Sequence, residues 1–448
     1  MRVMKWSMIA LAVAAAASTQ VATAAPFVSD QAEAKGFVED AKFDLLIRNY
    51  YFNRDNKDGA RDVKDWTQGL WGTFNSGYTQ GTVGVGVDAF GYLAIKLDGG
   101  DGTSGSGNMS RSDTVNANGG RNVNDSQGKA GGAIKFRVSK TELKFGDMSP
   151  STAPVFAVGG SRILPQVASG FQLQSSEVKD LDLEAGHFYS GSSQDKNARD
   201  GGLFANYAGV EANSIDYFGG KYGITDNLSA SLYGAKLEDI WNQYYANVNL
   251  TTPFGGDTSL NTDFNIYRTT DTGDAKAGEI SNTAFSLATA LSFLKAHTIT
   301  LAFQKVNGDT PFDYVGIGKN NRGGDSIFLA NSIQYSDFNA PGEKSAQIRY
   351  DLKMAEYGVP GLSFMTRYVK GWDIDGTNTP ANSAYAGLYG ADGKHNETNF
   401  EAKYVVQSGP AKDLSFRIRQ AWHFANADQG EGDIKEFRFI VDYPLSVL

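Results

Sequence analysis

Apolar and polar residues alternate along almost the whole chain, and no other feature restricts its fold as strongly. A strand with one apolar face repeats every two residues, whereas a surface helix repeats every 3.6. At the C-terminus Phe437, Phe439, Val441, Tyr443, Leu445 and Val447 fall on one face, opposite Arg438, Asp442, Pro444 and Ser446. Just upstream, Leu414, Phe416, Ile418 and Trp422 oppose Ser415, Arg417, Arg419 and His423, and the polar run 425–433 reads as the hairpin connection. The same period recurs at Phe43, Leu45, Ile47 and Tyr51, at Val83, Val85 and Val87, and at Ile134, Phe136 and Val138. It returns at Ala346, Ile348, Tyr350 and Leu352, and at Phe400, Ala402, Tyr404 and Val406.

Two architectures bury such strands. A sandwich or propeller turns the apolar face inward, and a transmembrane barrel turns it to lipid. Three features favour the barrel. The polar faces carry long charged residues such as Arg417 and Arg419. Aromatics cluster near expected strand ends, at Tyr50, Tyr51 and Phe52, at Trp66 and Trp71, and at Trp241, Tyr244 and Tyr245, as interfacial girdles do. Long connections (147–166, 307–326, 373–396) alternate with short ones (139–140, 219–224, 409–413). The expectation is an all-β chain forming a single transmembrane antiparallel barrel of about 18 strands, with inward-folded constriction loops. Composition agrees, with 52 glycines, 12% aromatics and no uncharged apolar run after residue 24 long enough for a membrane helix. The absence of cysteine excludes a disulfide scaffold, a thiol nucleophile and a Cys-ligated metal.

The N-terminus reads as an address. Arg2 and Lys5 precede the apolar run 8–17, and Ala22-Thr23-Ala24 has small residues suited to cleavage. Residues 1–24 are therefore expected to be a signal peptide and 25–448 the barrel. Removing two basic residues takes the formal charge from −9 to −11, which argues against nucleic acid as a partner.

An acidic chain with basic residues on the polar faces of its strands invites a pore. Lys135, Arg137, Arg349, Lys403, Arg417, Arg419 and Arg438 all occupy such positions. A row of guanidinium groups can pass a carboxylate from one bidentate contact to the next. The alternative is pairing with neighbouring carboxylates, as between Arg349 and Asp351. Two segments are candidates for folding into the lumen. Residues 323–337 mix hydroxyls, aromatics and carboxylates, and 153–162 are unusually apolar for a loop.

The sequence resembles the OprD-type substrate-specific porins of the bacterial outer membrane. The likeness runs through 27–37, 48–55 (Arg-Asn-Tyr-Tyr-Phe-Asn-Arg-Asp), 183–188 (Leu-Glu-Ala-Gly-His-Phe) and 441–445. It is greater to the basic-amino-acid branch than to the branch for aromatic and cyclic carboxylates. The resemblance implies an outer-membrane channel, with one pore per chain and in some members a homotrimer. It would sit in lipid and lipopolysaccharide and admit basic amino acids, short peptides, other small carboxylates and carbapenem antibiotics. It places the basic ladder on Arg54, Arg61, Arg162, Lys403, Arg417, Arg419 and Arg438, and the narrowing on Tyr207, Tyr314, Ser332, Tyr335 and Asp337. Asp337 would draw a substrate ammonium or guanidinium while the arginines draw its carboxylate. Two departures stand out. Phe424 occupies a position where the branch carries arginine, and the loop 99–128 differs in length and sequence.

Other classes are weaker. A serine peptidase needs a histidine in reach of a serine and a carboxylate, and His187, Asp239 and Ser326 form the best such set; no nucleophile-elbow pattern accompanies them. None of the four histidines lies at zinc-ligand spacing along the chain, so no metal or other cofactor is expected. The acidic turns 373–376 and 271–274 lack full EF-hand spacing. A general porin or a receptor would share the barrel without depending on the basic row.

Overall fold

The computed structural model describes residues 26–57, 59–318 and 323–448. The signal peptide expected over residues 1–24 lies outside the described residues. Eighteen antiparallel strands form one closed sheet. They are Lys42–Asn56, Val63–Asn75, Gly84–Gly99, Ser126–Val138, Thr141–Met148, Val167–Ser175, Leu181–Ser192, Ile215–Thr225 and Leu228–Leu237 in the first half. Trp241–Gly255, Thr258–Asp271, Ser281–Phe293, His297–Asn307, Lys344–Lys353, Leu362–Ile374, Gly393–Val405, Ser415–Ala425 and Ile434–Ser446 complete it. Each strand pairs with its neighbours in sequence, and the first closes on the last, with Asp44 opposite Ser446 and Asn56 opposite Ile434. Closure leaves the sheet no open edge, so the ladder N–H and C=O groups find their partners within the sheet where the barrel crosses lipid.

Burial follows the alternation. Leu232, Phe218, Ile348, Leu301, Phe416, Ile418 and Phe424 are exposed on the outside, while Arg417, Arg419, Ala421 and His423 point inward from the same strand as Phe416. An apolar belt this extensive is untenable in water and natural in a bilayer. The alternation also corrects the girdle expectation. Trp66 and Tyr244 do face outward, but Tyr50, Phe52, Trp71, Trp241 and Tyr245 are buried inside. Neighbouring strand residues point to opposite faces, so a run of aromatics cannot all meet lipid. A second correction concerns 219–224, which continues the strand Ile215–Thr225; the turn comes at Asp226-Asn227. The paired glycines there make room for neighbours. A Cβ on Gly219 would strike the Tyr233 ring, and one on Gly220 would sit 2.8 Å from the Leu183 side chain.

The barrel interior is partly filled. At the end with short turns the N-terminal segment lies inside, where Val28 N donates to Ser176 Oγ (3.1 Å) and Gln31 N to Ser139 O (2.8 Å). At the other end the long connections fold in. Residues 153–158 are buried, and Phe156 packs 4.8 Å from Phe188. The connection 308–343 meets them: Ser326 Oγ accepts from Ala157 N (2.8 Å) and donates to Ala157 O (3.1 Å), and Asp325 N donates to the same carbonyl (3.1 Å). A small three-stranded sheet, with Leu203 opposite both Ala212 and Ile317, ties the connection 193–214 to 308–343.

Candidate functional site

The inner wall carries the basic residues because the pleat directs every second side chain of a strand into the lumen. Arg54 and Arg438 meet on Glu436. Arg54 donates to it through Nε (2.8 Å) and Nη2 (2.6 Å), and Arg438 through Nε (2.6 Å). Arg162 arrives from the folded-in loop, its Nε donating to Ser106 O (2.7 Å). All three guanidinium groups lie over the Phe52 ring, at 5.4, 5.5 and 5.6 Å from its centroid, and cations are favoured on such a face. Arg417 and Arg419 share Glu401, at 2.7 and 3.2 Å. Lys403 is directly opposite Arg417 in the ladder, and Arg419 is opposite Arg438. The barrel register thus assembles Arg54, Lys403, Arg417, Arg419 and Arg438 on adjoining strands.

Three of the basic residues singled out from sequence stand elsewhere. Arg61 is exposed in the connection before Val63, at the rim, and its guanidinium occupies the space a Cβ on Gly119 would need. Arg137 holds the N-terminal segment: it donates to Gln31 (2.9 Å) and Ser29 (2.6 Å) and stacks over Tyr78 at 3.9 Å. Lys135 is paired with Asp88 at 2.6 Å. For Arg349 the pairing alternative is realised, with two 2.7 Å bonds to Asp351.

The acidic counterpart is built on loops. Asp337 accepts from Tyr207 Oη (2.7 Å), Tyr314 Oη (2.9 Å) and Ser332 Oγ (2.5 Å). The two tyrosine rings meet edge to face at 6.0 Å. Their backbones are fixed by a second buried carboxylate: Asp313 accepts from the N–H groups of Tyr207, Ala208 and Tyr314 at 2.8–3.0 Å and from Tyr385 Oη at 3.0 Å. Burial pushes the Asp313 carboxyl up to about 6, and its N–H donors act against that shift. Burial likewise raises the Asp337 carboxyl above the usual range, while the hydroxyls of Ser332, Tyr207 and Tyr314 pull it down. Asp325 is pushed up to about 6 by burial, with Arg162 acting in the opposite sense.

The two halves touch through residues 334–336. The Tyr335 ring lies 4.8 Å under Arg54, Gln334 O accepts from Arg438 Nη2 (3.1 Å), and Ser336 N donates to Glu397 (3.0 Å). Residues 334–336 thus join the wall that carries Arg54 and Arg438 to the loop that carries the Asp337 carboxylate. Opposed charges of this kind orient a solute that carries both signs.

Several contributors escaped the sequence reading. Glu436 and Glu401 set the charge of the wall, and only the strand register pairs them with the arginines. The loop 99–128 takes part too, since Asn108 accepts from Ile163 N (3.0 Å) and donates to Asp65 (2.8 Å), and Ser106 fastens Arg162. The peptidase set does not assemble. His187 pairs with Asp216 (2.7 Å), Asp239 with Lys276 (3.0 Å), and the Ser326 hydroxyl is bonded to Ala157. His395 and His423, distant in sequence, come into contact across neighbouring strands, with ring nitrogens 2.9 Å apart.

Residues 35–447 match the family described as outer membrane porin, OprD family. Porin D of Pseudomonas aeruginosa is 65% identical over 452 aligned positions that take in 100% of both chains. The porin-like protein GalP of Pseudomonas putida is 37% identical, with 93% of this chain and 95% of that protein aligned. A crystal structure of Pseudomonas aeruginosa OprD superposes with a TM-score of 0.83 at 63% identity, covering 95% of this chain and 100% of that one.

Proposed function

The chain belongs to the OprD family of outer membrane porins, and from that premise we propose that it is a selective uptake channel for basic amino acids, short peptides and related small carboxylates. Carbapenems, which carry a carboxylate and a basic side group, fit the same recognition. The observation that supports this reading is the pair of charged groupings on the inner side of the barrel: Asp337, held by Tyr207, Tyr314 and Ser332, and the set Arg54, Arg162 and Arg438 gathered over Phe52. The solute carboxylate takes the arginines as bidentate partners and moves toward Arg417, Arg419 and Lys403. Its ammonium or guanidinium takes Asp337. Arg61, at the rim, adds long-range attraction for carboxylates.

The remaining parts of the reading are architectural. Residues 1–24 direct export and are then removed. The outer apolar belt meets lipid and lipopolysaccharide. Assembly as a homotrimer leaves the pore unaltered, because every lining residue comes from one chain.

Single-channel conductance in planar bilayers tests the function, with arginine or lysine added to the bath. The expected outcome is small channels whose current falls saturably with the basic amino acid. Large ohmic channels indifferent to either solute would replace this reading with a general porin.

A further inference from the structure

At the long-loop end of the barrel, behind the constriction, two buried histidines confront each other. His395 Nδ1 and His423 Nε2 are 2.9 Å apart, and both side chains are fully buried. The far nitrogen of each ring already has an acceptor. His395 Nε2 lies 2.6 Å from Glu343 Oε1, and His423 Nδ1 lies 3.0 Å from Gly432 O. The Gly432 carbonyl requires an N–H on His423 Nδ1, so His423 Nε2 turns a lone pair toward His395; with Glu343 as a carboxylate, His395 Nε2 carries the N–H as well and two lone pairs point at one another. In that state a cation bridges them, either a proton or a metal ion.

The surroundings favour the metal. Glu431 Oε2 lies 3.5 Å from His423 Nε2 and 3.8 Å from His395 Nδ1, and Gln429 Nε2 donates to it at 3.0 Å. Zinc bonded at about 2.0–2.1 Å in a tetrahedron holds its ligand atoms about 3.3–3.4 Å apart. The observed separations of 2.9, 3.5 and 3.8 Å bracket that edge. Metal-bound histidines also share an outer arrangement, in which the second N–H is given to a carboxylate or a backbone carbonyl. Both versions are present here, with Glu343 and Gly432. Room for the Glu343–His395 pair is made by Gly371, where a Cβ would strike the Glu343 carboxylate and lie 2.5 Å from His395 Nε2. The pocket also adjoins the segment that presents Asp337, since Phe338 stacks on His395 at 4.1 Å and the Tyr335 ring lies 4.9 Å from His423.

We propose that His395, His423 and Glu431 form a binding site for a divalent transition metal of the zinc type, with one coordination position left open and the constriction segment packed against the site. The site is independent of which solute passes through the pore.

The test is zinc binding to the untagged, folded, detergent-solubilised porin, measured by calorimetry after treatment with EDTA. The expected result is one Zn²⁺ per chain. His423→Ala should weaken binding by at least about tenfold, a loss that removal of an outer partner alone can bring. Glu431→Gln should weaken it as well. Glu431 sits on a loop with its side chain one quarter exposed, so that variant keeps the test decisive should His423→Ala not fold. Absence of saturable binding in the unaltered protein would overturn the proposal and leave a shared proton between the rings. Wild-type affinity in Glu431→Gln, or in folded His423→Ala, would overturn it too.

Discussion

The strand wall that carries the arginines and the loop shelf that carries Asp337 solve the same problem, holding charge inside a barrel, in contrasting ways. The wall arginines stand on hydrogen-bonded strands and come with built-in anions: Arg54 and Arg438 share Glu436, and Arg417 and Arg419 share Glu401. Asp337 stands on a loop, and its three donors are neutral hydroxyls. The wall is therefore partly neutralised and mechanically fixed, while the shelf has no ion-pair partner among its three hydroxyl donors and depends on loop packing for its position. An arginine cluster without Glu401 and Glu436 would repel itself, and the shared carboxylates leave a positive surplus that the ladder can hold. A single carboxylate faces no such repulsion, and hydroxyl donors suffice to orient it.

Four experiments would break or sharpen this contrast. Glu436→Ala should have the largest effect, because it strips a fully buried anion from two arginines. A loss of about 3–5 kcal/mol is expected on breaking such a pair. Urea unfolding of the refolded barrel reads it, and an unchanged midpoint would mean the wall does not need its anion. Asp337→Asn comes next and should leave the fold intact. It removes a charged contact worth about 1.5–3 kcal/mol, so block by arginine should weaken roughly ten- to hundredfold. Block of wild-type strength would take Asp337 out of the selective machinery.

The double variant Arg417→Ala with Arg419→Ala should act more gently, since Glu401 already screens both residues. Carboxylate uptake into liposomes should slow roughly fivefold, the scale of about 1 kcal/mol, with the barrel still folded. An unaltered rate would remove this stretch from the ladder. The smallest effect is that of pH. Burial raises the Asp337 carboxyl above its ordinary value, so it takes up its proton at a higher pH than an exposed aspartate does. As pH falls through that raised value the shelf loses its charge, while the guanidinium groups keep theirs. Block by arginine should weaken first on mild acidification, and Asp337→Asn should show no such step. A pH profile shared by the two proteins would place the titrating group elsewhere.

Much of this was legible in sequence, and the reasons for the exceptions are physical. Period two revealed the barrel because lipid and lumen impose opposite demands on alternate residues. It placed Arg417, Arg419 and Arg438 on the inner face correctly for the same reason. It could not say whether a basic residue on an inner face was available: Arg137 is engaged by Ser29 and Gln31, and Arg349 by Asp351. Glycines at 219 and 220 looked like a turn because glycine also marks turns, whereas here they yield space to Tyr233 and Leu183. His395 and His423 showed no ligand spacing because their proximity comes from strand pairing, with His423 opposite Glu397 and His395 opposite Ala425.

The sequence by itself determined the architecture of this porin: an apolar outer face, a polar inner face, strand length matched to a bilayer and long connections at one end. Those properties are local and repeat with the pleat, so they are written in every strand. Only the tertiary structure decided which side chains the proposed site brings together. Tyr207, Tyr314, Ser332 and Asp337 come from two long connections, Arg162 from a third, and Glu436 reaches Arg54 only because the last strand closes on the first. Charge in a pore is set by what stands across the lumen, and that distance is fixed by closure and loop packing rather than by spacing along the chain.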